Sequence, residues 1–281
     1  MPPALLVLLA ASSVQFGSSL AKTLFDNAGP GGTVFMRVLF AAIVLMALWR
    51  PRLGEVHRRD LWLAAAFGVA LAGMNYAFYL SLDRIPLGVA VTFEFLGPLG
   101  VAVVGSRHAL DLLWVGMAAA GILLLSDFGD FSSLNVTGVL LALLAGSFWA
   151  AYILLSQRVG QVFPGGRGLA LAMVVATLLL APVGIADAGG ALLDPGVLAM
   201  GAAVAMLSSA IPYSLELEAL RRLPKGVFGV MMSLDPAVAA LAGYVVLGEI
   251  LGARELAAIG LVVVASAGAA RSATTPVEIP K

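Results

Sequence analysis

Six ionisable side chains interrupt the apolar runs of this chain: Lys22, Arg37, Glu94, Glu216, Glu218 and Asp235. A charge at the depth of a lipid bilayer costs about 3 kcal/mol or more unless it faces a partner or a wet cavity, so each is a functional candidate. Glu94 stands out because no Lys or Arg lies three or four residues away on either side, and Pro98 follows one turn later. Glu218 is explained more simply, with Arg221 and Arg222 three and four residues on along the same helix. Arg37, which the sequence places near the outer end of its span, is expected to pair structurally with Asp26.

Polar neighbours extend this set. Gln15, Ser18 or Ser19, and Lys22 recur at helical spacing and make one polar stripe on an otherwise apolar first helix. Asn75 and Tyr79 share a face, and Ala72 and Gly68, one and two turns earlier, permit close helix approach. Ser209, Pro212, Tyr213 and Glu216 form a third polar face, where Pro212 leaves a carbonyl free for another donor. Trp149 and Tyr152 are either cavity aromatics or ordinary bundle packing.

Signals for bond-making chemistry are weak. Ser19-Leu20-Ala21-Lys22 matches S-x-x-K without the S-D-N or K-T-G companions of that motif. Asp127-Phe128-Gly129 is a chance triplet in a loop, and the two histidines, His57 and His108, form no H-E-x-x-H zinc site. Asn135-Val136-Thr137 fits a glycosylation sequon. Cysteine is absent, which removes disulfides, thiolate chemistry and Cys-type metal sites. No metal or cofactor is expected, and an intramembrane enzyme is the weaker class of function.

The elements that must hold these residues follow from composition. With 61% hydrophobic and 11% charged residues there is too little polar surface to coat a soluble globule of 281 residues. Net charge is zero and no basic stripe is present, which argues against a nucleic-acid partner. The first apolar stretch resembles a signal peptide but lacks a basic leader and runs on to Phe25, so it reads as a retained span. Further spans are predicted at about 31–49, 60–82, 87–105, 110–126, 136–157, 167–186, 196–220, 227–248 and 254–270, each of bilayer-crossing length. The sequence thus predicts an all-α membrane protein with ten transmembrane helices. With a cytoplasmic N-terminus, Arg50, Arg52, Arg58, Arg59, Arg107, Arg158, Arg167, Arg221, Arg222, Lys225, Arg271 and Lys281 lie inside, against Arg84 and Arg254 outside. That bias predicts both termini in the cytoplasm.

The chain also repeats itself. Shifted by 138 positions, Leu82, Arg84, Pro86, Gly88, Val89, Leu96, Pro98, Ala102 and Gly105 fall on Leu220, Arg222, Pro224, Gly226, Val227, Leu234, Pro236, Ala240 and Gly243. An odd number of spans per unit inverts the second copy, giving two inverted five-helix repeats, residues 1–126 and residues 127–281 with a short cytoplasmic tail. Inverted repeats suit a carrier that opens alternately to two sides, with Pro98 and Pro236 as equivalent hinges.

Several strings in this frame carry a family likeness. Ser19-Leu20-Ala21-Lys22, Gly73-Met74-Asn75-Tyr76, Phe78-Tyr79-Leu80-Ser81, Glu94-Phe95 with Gly97-Pro98-Leu99, Tyr152-Ile153-Leu154 with Ser156-Gln157-Arg158, Pro212-Tyr213-Ser214-Leu215-Glu216 and Leu247-Gly248-Glu249 are the ones that matter. The chain resembles the EamA-type branch of the drug/metabolite transporter superfamily, and more narrowly the bacterial threonine/homoserine exporters, whose relatives export aromatic amino acids. It departs at Asp235-Pro236, where that family commonly has Glu before the proline.

The resemblance implies an amino-acid exporter of the bacterial inner membrane, with the lipid bilayer as its surroundings and protons as a candidate coupling ion. A broader metabolite or drug efflux carrier of the same fold is the alternative. A zwitterion needs an acceptor for its ammonium and donors for its carboxylate. Glu94 with Glu216 would serve the first, Lys22 with Gln15 and Asn75 the second, and Tyr79, Tyr213 and Trp149 would line the side-chain pocket.

Overall fold

A computed structural model describes residues 2–51, 57–104, 110–125, 135–220, 232 and 234–272. All regular structure among them is helical. The elements are α1 (Pro3–Lys22), α2 (Phe25–Trp49), α3 (Arg58–Leu82), α4 (Leu87–Glu94), α5 (Leu96–Val104), α6 (Leu110–Leu125), α7 (Val136–Val162), α8 (Arg167–Ala188), α9 (Pro195–Ala205), α10 (Ile211–Leu220), α11 (Asp235–Ala242) and α12 (Ala253–Ser272). A π-turn at Met206–Ala210 joins α9 to α10, and a second at Gly243–Leu247 extends α11.

Helix ends follow local chemistry. Asn135 opens α7 by accepting from the Gly138 N–H at 3.0 Å, so the residue that heads the sequon acts as a cap. Asp194 does the same for α9, accepting from Gly196 and Val197, with Pro195 in the first turn where no N–H is needed. Inside α2 the backbone turns at Gly29, where φ is +65°, ahead of Pro30. Asp187 of α8 accepts the Gly31 N–H freed by that kink at 3.0 Å, tying the two helices together.

Ten crossings were predicted; six described segments are long and apolar enough to span a bilayer, Leu5–Lys22, Phe25–Trp49, Arg58–Leu82, Val136–Val162, Arg167–Leu193 and Pro195–Glu216. Two predicted spans are shorter apolar stretches, Leu87–Val101 and Asp235–Leu247. The first is broken between α4 and α5 at Phe95, because Pro98 has no N–H to give the Glu94 carbonyl. Pro236 sits in the first turn of α11, as Pro98 sits in the first turn of α5.

Packing uses small residues at close crossings, as expected where lipid offers no hydrophobic drive between helices. Gly68 of α3 lies against Ala172 and Val175 of α8, and Gly97 of α5 lies on the backbone of Gly146 in α7. α2 packs along α8, and α6 along α12. Among the described residues, three further pairings have a counterpart 138 residues on. α3 on α7 matches α9 and α10 on α1, α3 on α8 matches α9 on α2, and α5 on α7 matches α11 on α1. Large side chains such as Ile43, Leu48, Leu140, Leu178, Ile185 and Tyr244 stay exposed on the outside of this bundle, the pattern of a surface that meets hydrocarbon.

Candidate functional site

The polar centre of the bundle is organised by Pro212. A proline supplies no N–H, so neither Ser208, four residues back, nor Leu207, five back in the π-register, receives a bond from it. Side chains from two other helices take their place. Ser13 of α1 donates Oγ–H to the Leu207 carbonyl at 2.6 Å. Arg37 of α2 donates Nη2–H to the Ser208 carbonyl at 2.8 Å and Nε–H to Ser209 Oγ at 2.9 Å.

Arg37 is therefore not at the edge of the bundle paired with Asp26. It lies about midway along α2 and is 3% exposed, whereas Asp26 is at the exposed start of that helix. The prediction failed because a span counted from residue 31 puts Arg37 close to its beginning, while the helix begins at Phe25. Its Nη1 reaches Tyr79 Oη at 3.3 Å, and the guanidinium carbon lies 5.4 Å from the centre of the Tyr79 ring, a cation–π distance. Phe25 packs on the same tyrosine at 5.7 Å.

Glu94 ends α4 at 8% exposure and lies within electrostatic reach of both Arg37 and Asp235. It forms no ion pair among the described residues. Asp235, 3% exposed at the start of α11, is within reach of Glu216, and its Oδ1 is buried without a partner among the described residues. Asn75 donates to its own Leu71 carbonyl at 2.8 Å and lies within side-chain reach of Tyr213. Tyr152 connects the aromatics, stacked on Phe67 at 5.1 Å and 6.4 Å from Tyr213. Trp149 is half-buried and meets Phe95 edge-on at 5.4 Å, next to Glu94 in the chain.

Of the residues predicted from sequence, Asn75, Tyr79, Glu94, Tyr213 and Glu216 come together with Arg37, Asp235 and Tyr152. Gln15 is buried on α1, with its Oε1 unpartnered among the described residues, and α1 packs on the π-turn and on α11. Lys22 is placed differently. Its Nζ makes a 2.7 Å ion pair with Glu249, whose other oxygen accepts the Leu87 N–H at 2.9 Å at the start of α4. Ser19 of the S-x-x-K string bonds the Phe16 carbonyl of its own helix, so it is not aimed at the lysine. Sequence reasoning passed over Glu249 as a partner; the signal was the acid just after an apolar run, in a turn able to reach another helix start. The Glu218 side chain and Arg221 and Arg222 lie outside the described residues.

What this arrangement can do is bind. It offers carboxylates, a guanidinium, amide and phenol groups, and aromatic walls, with no nucleophile and base in contact among the described residues.

Residues 136–271 match the EamA-like transporter family. The threonine/homoserine exporter RhtA of Escherichia coli K12 is 44% identical over 270 residues, covering 95% of this chain and 90% of that protein. The threonine/homoserine exporter RhtA of Salmonella typhimurium SL1344 is 43% identical over the same length. A solved crystal structure superposes with a TM-score of 0.63 at 18% identity, covering 94% of this chain and 96% of the other, a likeness of fold alone.

Proposed function

The chain belongs to the EamA-like transporter family, and from that premise we propose that it exports amino acids of the threonine/homoserine class across the bacterial inner membrane. The observation that carries this reading is the cluster of buried Glu94 and Asp235 with half-buried Glu216, beside Asn75, Tyr79 and Tyr213, at the seam where residues from both sequence halves meet. Carboxylates with no cation bonded to them among the described residues suit an incoming ammonium, and the surrounding phenols and amide suit a small polar side chain.

In this reading ten spans form inverted five-helix repeats, residues 1–126 and 127–281, with both termini cytoplasmic. The matching of helix pairings across the 138-residue shift supports it, as does the distribution of Lys and Arg. Glu94, with Glu216, takes the ammonium; Gln15 and Asn75 face the substrate from two sides; Tyr79, Tyr213 and Trp149 bound its side chain. Lys22 would have to leave Glu249 to touch the substrate. Pro98 and Pro236 act as the bending points of alternating access. Because a carboxylate ionised and empty at this depth is costly, Glu94 accepts either a proton or the substrate ammonium, which would couple the two movements.

Counterflow in proteoliposomes tests the function. Labelled threonine or homoserine should accumulate against an unlabelled internal pool and be recovered chemically unchanged. Exchange spread evenly over unrelated metabolites would favour the broader carrier, and consumption of the ligand would favour an enzyme.

A further inference from the structure

Resting on the amino-acid reading, we propose that Arg37 is the anchor for the substrate's α-carboxylate, so that the site is built for zwitterions spanning Arg37 and Glu94. A guanidinium has five N–H donors in a planar fork. Three of them meet neutral oxygens, the Ser208 carbonyl at 2.8 Å, Ser209 Oγ at 2.9 Å and Tyr79 Oη at 3.3 Å. Among the described residues one N–H on each terminal nitrogen is left over, the kind of pair that a carboxylate takes bidentately.

The charge is left open as well. Arg37 is 3% exposed, and it makes no ion pair among the described residues, although Glu94 lies within its electrostatic reach. Removing a guanidinium from water without an anion at contact is costly, and neutral acceptors orient such a group without neutralising it. The orientation is itself constructed, since one of the acceptors is available only because Pro212 cannot bond it. A fixed cation and a buried carboxylate within electrostatic reach of each other, with no ion pair between them, are the two ends an α-amino acid requires. Lys22, the other cation that interrupts the apolar runs, already has its carboxylate in Glu249.

The test is calorimetric binding of threonine and of L-threoninamide, which keeps the ammonium and side chain but has no carboxylate, to purified protein. The parent should prefer threonine by about 30-fold, the lower end for one buried charge pair. Arg37→Gln should weaken threonine by that factor and leave threoninamide nearly unchanged, so the preference disappears. Arg37→Lys keeps charge without the fork, and its preference should be cut by at least about threefold. An unchanged preference in Arg37→Gln, or an equal loss of both ligands, would overturn the assignment. If Arg37→Gln does not insert, Arg37→Lys decides: a parental preference there overturns it. A parent that binds and exchanges neither compound would instead remove the amino-acid reading on which this one stands.

Discussion

Lys22 and Arg37, the cations that interrupt the first two apolar helices, are handled in opposite ways. Lys22, at the end of α1, has a protein carboxylate at 2.7 Å, and that carboxylate also caps α4, so three segments are strapped together by one charge pair. Arg37, midway along α2, is deeper and yet among the described residues is bonded only by hydroxyl and carbonyl oxygens. The strap keeps partial access to solvent, with side chains 25% and 15% exposed. The contrast separates a cation whose opposite charge is built into the protein from one that is oriented and left electrically open. In the carrier proposed here, the first would hold helices in place and the second would take the cargo.

The largest effect expected from attacking this contrast is at the opposite pole of the open cation. Glu94→Gln keeps size and removes charge, and threonine affinity and exchange should fall by about 100-fold or more while the protein still inserts and purifies as a folded species. Normal exchange by that variant would make Glu94 structural and move attention to Glu216. Pro212→Ala comes next. It returns an N–H that competes for the Leu207 and Ser208 carbonyls, so Arg37 loses an aligned acceptor and threonine binding should weaken by about tenfold, the scale of one hydrogen bond to a charged group. Binding at parental strength would show that the freed carbonyl does not set the guanidinium.

Smaller effects should come from the breaks in the helices and from the strap. Pro98→Ala and Pro236→Ala should each slow exchange severalfold with equilibrium binding intact, because they change the bend and not the ligands. Two variants that exchange at the parental rate would end the hinge idea. Lys22→Met should cost about 1 kcal/mol in stability, as for a partly exposed pair, and leave the threonine preference over threoninamide untouched. A collapse of that preference in Lys22→Met, with Arg37 variants indifferent, would invert the comparison.

How far these sites could be read in advance depends on the range of the interaction. Asn135 was legible as the head of a sequon, but a sequon and a cap can begin with the same amide, and only the Gly138 N–H within reach shows the cap. The carbonyl freed by Pro212 was predictable, because the missing donor is a property of proline itself. Which group would take that carbonyl was not, since Arg37 lies 171 residues away. Asp26 looked the natural partner of Arg37 by nearness along the chain, and it is exposed at the far end of the same helix.

The sequence by itself determined the solvent of this protein, the helical form of its apolar runs, the 138-residue repeat and the short roster of polar groups that hydrocarbon would penalise. Those are consequences of composition, period and single-residue chemistry, each complete within a few turns of chain. Tertiary structure alone decided which of those groups meet. Lys22 is matched to Glu249 across 227 positions and Arg37 to Ser209 across 172. A polar stripe states only that a helix face must be hidden from lipid, and any polar face could hide it. Close packing of particular helices removes that freedom, putting one cation against a carboxylate and the other against neutral oxygens.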